Sequence, residues 1–381
     1  MTSPVDTSVK FAHSDMPGAP VLKPQAGSLI SLLDAFLVNG WGLQTATSVV
    51  VAGGVATATF PLDHAAAVDA VVLVAGATPA ALNGEQKVTA TAPNKISWAT
   101  AAADGTATGT ITVKMAAAGW AKPFTGTNLA AYRSAHPQSN GLYLRVNDAS
   151  ALAARVVGYE TMTAISTGAN TFPTNAQMSG GGYWNKAQSA HGRDIPWLLF
   201  SDGRAFHLCI LATAAETSDP TAASSEIYSF GDPVPTNAAG HPFGTLISFS
   251  TTQTTNNGET TSPSGAGLYA ARSIARTVGP RPLAAQYGTS YPSVFPDPAF
   301  GGLYLAPIRL RELEVASGAP SYPGVLPGVM RVESTGVHRV LGHWPIVRAG
   351  PRRYLLQLID NHPLNATYSS SAAFDLTGPW R

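Results

Sequence analysis

The sequence predicts a mainly β protein: an extended N-terminal arm with a short helix, an immunoglobulin-like β-sandwich, and a larger β-rich C-terminal region of sandwich or barrel type. Two observations lead to this class. Short runs rich in β-branched and aromatic residues recur along the chain, and turn-forming dipeptides separate them. We place the domains at residues 1–44, 45–120 and 121–381, and a split of the last one near 212–300 stays open.

The opening segment, "SDMPGAPVLKPQAG", is typical of an extended arm. Pro17, Pro20 and Pro24 each fix their own φ and disfavour helix in the residue before them. Residues 14–26 are therefore expected to be extended.

A helix of about three turns is predicted directly after the arm. Ser28 can act as its N-cap, and Asn39-Gly40 supplies a left-handed stop. The apolar residues at helical spacing are Leu29, Leu32, Leu33, Phe36 and Leu37. A helix this short needs a surface that covers its apolar face. That surface is either the chain's own next domain or a neighbouring subunit.

Residues 45–116 are predicted to form short strands joined by tight turns. Gly53-Gly54, Asn83-Gly84 and Asp104-Gly105 favour type I′ turns, which need a positive φ at both central positions. Strands at this spacing over about 75 residues indicate a small immunoglobulin-like sandwich. The cysteine pair and paired tryptophan of antibody domains are absent, so only the architecture is implied.

Two hairpins are predicted early in the C-terminal region. "GLYLRV" and "ARVVGYETM" flank the turn-forming "NDAS". In "WLLFSDGRAFHLCIL", a two-residue Asp202-Gly203 turn would place Ser201 opposite Arg204. The same register pairs Leu199 with Phe206 and Trp197 with Leu208. Both faces of this second hairpin are largely apolar, so we expect it to lie centrally, packed on both sides.

Two polar loops follow, "PTAASSE" and the Thr-rich "STTQTTNNGETTSPSGAG", and the second is either mobile or ordered by a partner. The last predicted strands are "IRLRELEV", "GVMRVES", "HWPIV" and "RRYLLQLID".

Composition gives no sign of a nucleic-acid or membrane partner. The 381 residues carry 12% charged side chains and a formal net charge of +1, which supplies no basic footprint. Surfaces covered by partners, or a coding bias of the genome, would each explain so little charge. The single cysteine, Cys209, allows no intrachain disulfide, which is consistent with folding in a reducing compartment. Neither a signal peptide nor a run long enough to span a bilayer is visible.

The search for chemistry assigns no catalytic, cofactor-binding or metal-binding residue, and the chain is interpreted as not being an enzyme. Nucleophile-elbow, Walker and HExxH motifs are absent. His207 is interpreted as a core imidazole. Glu312 and Glu314 lie two apart on one strand, after Arg309 and Arg311, and we interpret them as a lattice of ion pairs at a sheet edge.

Two further clusters have competing interpretations. The basic "RAGPRR" at 348–353 is expected to pair with acidic side chains of a neighbour rather than with phosphate. Tyr183 and Trp184 follow "SGGG" and could form an exposed sugar-stacking platform. The favoured alternative is a loop from which Trp184 folds back into the core.

The segments "FAHSDMPGAPVLKPQAGSLISLLDAFLVNGWG", "VTATAPNKISWAT" and "AAAGWAKPFTGTNLAAYRS" resemble an N-terminal region of structural proteins from tailed bacteriophages and prophages. The likeness covers about residues 11–135. It implies a virion component of the tail, its tip or the baseplate, and it transfers no catalytic or ligand-binding residue.

The leading hypothesis is therefore a virion structural protein of the tail tip or baseplate, assembled in the host cytoplasm as a homo-oligomer of ring symmetry. Its expected partners are copies of itself and other virion proteins, without cofactor, nucleic acid or membrane. One alternative is a head or collar decoration protein. Another is a receptor- or glycan-binding tail protein that uses the Tyr183 loop or the Thr-rich loop to bind a host-surface glycan. A polysaccharide depolymerase comes last.

Overall fold

The computed structural model describes residues 3–212, 225–236, 240–253, 267–286, 293–299, 301–313, 321–335, 337, 341, 344–360 and 370–381. Within them the protein is mainly β, with several sheets and one short helix, as the sequence predicts. The helical elements are α1 (Ser28–Leu33), a π-helical stretch that continues it (Asp34–Asn39), and a 3₁₀ turn (Ala80–Leu82).

The strands of the N-terminal part are β1 (Lys10–His13), β2 (Trp41–Thr45), β3 (Ser48–Ala52), β4 (Val55–Thr59), β5 (Val71–Ala75), β6 (Gly84–Ala92), β7 (Lys95–Ala99), β8 (Gly105–Thr106) and β9 (Thr112–Met115). The central strands are β10 (Trp120–Gly126), β11 (Leu129–Ser134), β12 (Tyr143–Asn147), β13 (Ala153–Ala164), β14 (Thr167–Phe172) and β15 (Gly182–Asn185).

The remaining strands are β16 (Trp197–Ser201), β17 (Ala205–Ile210), β18 (Glu226–Gly231), β19 (Val234–Pro235), β20 (Leu246–Ser248), β21 (Leu268–Ala270), β22 (Arg281–Gln286), β23 (Ser293–Val294), β24 (Leu305–Glu312), β25 (Ser321–Val332), β26 (Ser334–Thr335), β27 (Ile346–Ala349), β28 (Arg352–Asp360) and β29 (Ser370–Asp375).

The first β unit is built from β2 to β9, in the order β2-β9-β5-β6-β7-β4-β3-β8. Strand β6 pairs with β5 through its first residues and with β7 through its last ones, so it belongs to both halves. The pairing with β7 begins at Val88 and contains a bulge between Val88 and Ala90. A single bent strand thus joins the two halves of the unit.

Only one of the three predicted type I′ turns forms. Gly53 and Gly54 both have positive φ, 57° and 76°, and connect β3 to β4 as predicted. Asn83 has a φ of −79°, and its side chain hydrogen-bonds both backbone groups of Ala77. Asp104 also lacks a positive φ, and its carboxylate accepts the N–H of Gly53. Both aspartate and asparagine side chains bond backbone groups, which competes with the predicted turn geometry.

The central sheet is an antiparallel meander, β10-β11-β12-β13-β14, in which β15 pairs with β13. The predicted hairpin around "NDAS" is its β12–β13 pair. The inner face of this sheet joins an apolar cluster that extends from Val9 to Trp380.

The C-terminal strands form a long antiparallel sheet in the order β1-β16-β17-β18-β20-β21-β22-β24-β25-β29-β28-β27, with β19 paired to β25. Strand β22 connects its two halves by pairing with β21 and β24. The halves pack against each other, since Phe200 of β16 stacks on Phe374 of β29 with ring centroids 4.2 Å apart. Cys209 lies on β17, where every residue is buried.

The β16–β17 hairpin forms where predicted, but its register differs by two residues. Leu199 lies opposite Leu208, and Ser201 lies opposite Phe206. The Asp202 carboxylate accepts the N–H groups of both Arg204 and Ala205, which widens the loop. Each residue still lies on the predicted face of the hairpin, because a register shift of two residues does not exchange the faces.

The N-terminal arm packs on its own chain. Lys10–His13 pair with Leu198–Ser201, and Phe11 is buried. Farther along the arm, the carbonyl of Pro20 accepts the Trp197 indole N–H at 3.0 Å. The apolar face of the helix is likewise buried within its own chain, as the first of the two surfaces considered from sequence requires.

The helix begins at Ser28 and not after it. Gly27 occupies the N-cap position with a φ of 79°, and the Ser28 hydroxyl donates to the carbonyls of Lys23 and Gln25. The predicted Ser28 cap is therefore wrong. The predicted position of the stop is confirmed, but Gly40, with a φ of 69° and a ψ of 176°, is not left-handed helical; its N–H reaches the carbonyl of Ala35. No helix among the described residues is long and apolar enough to cross a bilayer.

Candidate functional site

The outer face of the central sheet carries arginine and tyrosine side chains over a buried inner face. Along β12, Tyr143 and Arg145 are half-buried, whereas Leu144 and Val146 between them are buried. This alternation is that of a sheet with one face on the core. We call the outer side the Arg–Tyr face; its arginines are Arg133, Arg145 and Arg155, and its tyrosines are Tyr143, Tyr159 and Tyr183.

Strand register fixes the arrangement of this face. Arg133 lies opposite Tyr143, which lies opposite Tyr159. Two residues along, Arg145 lies between Ala131 and Val157. Two residues further, Arg155 lies opposite Tyr183. The three arginines therefore form a diagonal across β11, β12 and β13.

Two of these arginines are stacked on tyrosine rings. The guanidinium carbon of Arg155 lies 3.9 Å from the ring centroid of Tyr183, and that of Arg133 lies 5.5 Å from Tyr143. Arg133 also donates to the Tyr143 hydroxyl at 3.0 Å. Arg145 instead donates through Nε to the carbonyl of Ile165 at 2.8 Å. These contacts orient the guanidinium groups without neutralising their charge.

None of the three arginines pairs with a carboxylate within the described part of the chain. Elsewhere in that part, arginines do form such pairs: Arg204–Asp232, Arg272–Glu160, Arg352–Asp375, Arg353–Asp69 and Arg381–Asp202. Glu160, which directly follows Tyr159 in β13, is held by Arg272 and Asn170. The Arg–Tyr face is thus a local excess of positive charge on a protein of net charge +1.

The inner side of the same sheet is fastened to the helix by a buried carboxylate. Asp148, directly after β12, accepts the N–H groups of Leu29 and Ile30 at 2.8 and 3.2 Å. It therefore supplies the cap that Gly27 lacks. Lys186, directly after β15, forms an ion pair with Asp148 and donates to the carbonyl of Ser150.

Burying the Asp148 and Lys186 charges costs free energy, and their mutual attraction and hydrogen bonds offset that cost. Burial raises the pKa of the Asp148 carboxyl and lowers the pKa of the Lys186 ammonium. Their mutual attraction opposes both shifts, as do the helix N–H groups at Asp148. The pair therefore fixes the sheet relative to the helix and leaves neither group for chemistry.

The sugar-stacking platform, the less favoured of the two interpretations of Tyr183 and Trp184, does not form. Trp184 is fully buried, and its indole N–H donates to the carbonyl of Ser248 at 2.8 Å. It stacks on Tyr228 with ring centroids 5.5 Å apart. The alternative, that Trp184 folds into the core, is confirmed. Tyr183 points the other way, onto the Arg–Tyr face, under Arg155.

The predicted charged clusters pair differently from expectation. In "RAGPRR", Arg352 pairs with Asp375 and Arg353 with Asp69, so both acids belong to the same chain and not to a neighbour. The Glu312 carboxylate is buried and accepts the Ile274 N–H. Glu312 is therefore not part of an exposed lattice of ion pairs at a sheet edge, as the sequence had suggested. Glu314, most of the Thr-rich loop, and the "PTAASSE" loop except its last two residues lie outside the described residues.

The buried polar groups of the C-terminal sheet form hydrogen bonds that hold its strands together. His207 Nε2 contacts the Pro327 carbonyl at 2.8 Å, and Nδ1 contacts the Ser229 hydroxyl at 2.6 Å. Since a carbonyl only accepts, Nε2 carries the proton and Nδ1 accepts from Ser229. Burial lowers the pKa of His207 to about 4, so the ring is neutral at pH 7. No group of three metal-ligating side chains occurs among the residues described.

Sequence reasoning missed the Arg–Tyr face, although its signal was present. "GLYLRV" alternates Tyr143 and Arg145 with apolar residues, and "ARVVGYETM" separates Arg155 from Tyr159 by four positions. Period-two spacing places each pair on one face. The arginines and tyrosines come together only through the register between the strands, and spacing along the sequence does not specify that register.

Comparison with known proteins adds little to this geometry. No protein-family model matches the sequence, and no curated protein matches it. Among solved structures, phage phi92 endosialidase aligns with a TM-score of 0.17 and 9% identity, covering 88% of this chain and 52% of that one. This chain thus spans about half the length of that protein. A TM-score this low carries no argument about fold or function.

Proposed function

We propose that the protein is a non-enzymatic structural component of a bacteriophage virion, in the tail-tip or baseplate region. It acts in particle assembly, through contacts with copies of itself in a ring and with other virion proteins. The resemblance of residues 11–135 to phage structural proteins supports this class. Folding in the host cytoplasm agrees with a single, buried cysteine.

The observation that carries the proposal is the Arg–Tyr face. Arginine and tyrosine are enriched in protein interfaces, where they supply large contact area and directional hydrogen bonds. Here they occupy a face whose arginines have no carboxylate partner among the described residues. A protein contact would supply such partners.

The N-terminal segment supports the same role in a different way. Lys10 pairs with Glu85 of the first β unit, at 2.8 Å, while its strand extends the C-terminal sheet. The helix that follows is capped from the central sheet by Asp148. The N-terminal segment thus contacts all three β units and holds them together, as we expect of a structural component of a particle.

Immunoelectron microscopy tests the assignment directly. An antibody raised against the purified chain is applied to intact particles from a host that produces the protein. Label at the tail tip is the expected result, with pre-immune serum as control. Label on the head or collar would favour the decoration alternative, and unlabelled particles would contradict a virion role. Mass photometry of the purified chain tests the homo-oligomer separately.

No observation among the described residues favours the receptor- or glycan-binding alternative over assembly. Trp184 is not available for stacking, and Tyr183 is already covered by Arg155.

A further inference from the structure

We propose that the Arg–Tyr face binds an extended, acidic segment of a partner protein, with side-chain carboxylates placed on its arginines. This rests on the proposed role in assembly, since it names the chemistry of one contact. The ligand class follows from the spacing, the stacking and the size of the face.

The spacing of the arginines suits an extended peptide. Neighbouring strands lie about 4.8 Å apart, and two residues along a strand advance about 6.7 Å, so successive arginine Cα atoms on the diagonal are about 8 Å apart. In an extended segment, side chains on one side repeat at about 6.7 Å. A segment with acidic residues at alternate positions, lying along the diagonal, can therefore reach all three guanidinium groups.

The stacking of the arginines favours carboxylates over rings. Arg155 lies on the face of Tyr183, and Arg133 lies toward that of Tyr143. Arg155 therefore covers the Tyr183 face, and Arg133 holds the Tyr143 hydroxyl, whereas a sugar or a nucleobase stacks on an uncovered ring face. A stacked guanidinium keeps its N–H edge free for a carboxylate.

The guanidinium groups retain unused donors. Each arginine has five N–H groups. Arg145 uses Nε for the Ile165 carbonyl, and its two terminal nitrogens contact no acceptor in the part of the chain that the structure describes. Arg133 uses Nη1 for Tyr143. Arg155 is more committed, because its Nη2 donates to the carbonyls of Ser179 and Gly181. Arg133 and Arg145 are therefore the residues to test.

The size of the face indicates a segment and not a globular surface. Three strand intervals by four residues give about 14 Å by 14 Å, or roughly 200 Å², with a diagonal of about 20 Å. A stable interface between globular partners takes about 800 Å² from each side. An extended peptide of about six residues covers about 20 Å, which matches the face.

Fluorescence anisotropy with a labelled peptide tests this inference. The probe is fluorescein-Ser-Glu-Ser-Glu-Ser-Glu-Ser, and the matched control replaces each Glu by Gln. The full chain is titrated at low and at moderate salt. We expect binding of the Glu peptide only, weakening with salt because the contacts are ionic.

Variants locate the site. Arg133→Gln and Arg145→Gln are each expected to weaken binding about threefold to tenfold, whereas Lys95→Gln, an exposed charge on the first β unit, is expected to leave it unchanged. An unchanged melting temperature shows that the variants fold. Equal binding of both peptides, or full binding by the double arginine variant, would overturn the inference.

Two further probes identify a different ligand. If oligothymidylate or heparin binds this face more tightly than the Glu peptide, the ligand class is wrong. Particles labelled by the antibody, with no peptide binding, would overturn this inference alone. Peptide binding with unlabelled particles would instead remove the virion role.

Discussion

Lys186 and Asp148 form an ion pair in which both side chains are completely shielded from solvent. They are 38 residues apart in sequence, and together they hold the first turn of the helix through Leu29 and Ile30. A buried pair of this kind stabilises only as long as both partners are present.

Asp148→Asn is therefore expected to destabilise the protein by about 3–5 kcal/mol, because the buried Lys186 charge loses the carboxylate that neutralises it. Urea denaturation followed by circular dichroism measures this. The control is the double variant Asp148→Asn with Lys186→Met, which removes the stranded charge and should recover part of the loss. A loss below about 1 kcal/mol for the single variant would show that the pair does not hold the helix.

His207 gives the protein a specific loss of stability in mild acid. Its pKa is about 4 in the folded state, against 6.5 when unfolded. The unfolded chain thus takes up the proton first, so the stability present above pH 6.5 is lost as the pH falls to about 4. The difference in pKa corresponds to about 3 kcal/mol.

The measurement compares the free energy of unfolding at pH 7 and at pH 4 for wild type and His207→Gln. Glutamine can still donate to the Pro327 carbonyl and does not titrate in this range. Carboxylates contribute equally to both proteins, so the wild type should lose about 3 kcal/mol more than the variant. Parallel pH profiles would contradict a neutral, buried His207.

Trp184 and Tyr183 should respond in opposite ways to truncation. Trp184→Ala removes a fully buried ring and is expected to cost about 3–5 kcal/mol. Tyr183→Ala loses mainly the contact with Arg155, at about 1 kcal/mol. Urea denaturation of both variants checks this. If Trp184→Ala were the milder change, the ring would have to be exposed, as a stacking platform requires.

The arm is expected to remain on its own chain at any protein concentration. Phe11→Ala should cost about 3 kcal/mol because the ring is buried against β16, whereas Val21→Ala, at a site 49% exposed in the same arm, should change stability by less than about 0.5 kcal/mol. Hydrogen exchange of the Ser14 N–H, which donates to Trp197, reports docking directly. Its protection should not change on about 50-fold dilution, since an intrachain contact does not obey mass action. Protection that falls on dilution would indicate exchange between subunits.

Local patterns predicted several strands, among them β12, β13, β16 and β17, and the end of the helix, because these depend on neighbouring residues. Gly40 ends the helix through its own φ, and β12 follows from its alternation. The start of the helix could not be predicted, since its cap comes from Asp148, 119 residues away. The register at Asp202 was missed for a similar reason: a side-chain hydrogen bond, not the dipeptide, sets the loop.

The Arg–Tyr face was beyond sequence reasoning for a further reason. Period-two alternation says which residues share a face of one strand, but Arg133, Arg145 and Arg155 lie on three strands. Their diagonal exists only once the register of both strand pairs is known. The absence of carboxylate partners among the described residues is likewise a property of the folded chain.

The reactivity of the single cysteine can be used to measure opening of the core. Cys209 is fully buried on β17, and burial raises the pKa of its thiol, so neither access nor ionisation favours reaction in the native state. A disulfide reagent such as dithionitrobenzoate can then be consumed only when the central hairpin separates from its neighbours. The rate at which the reagent releases its coloured thiolate would therefore measure how fast the hairpin opens. This rate could be compared between the free protein and the assembled protein.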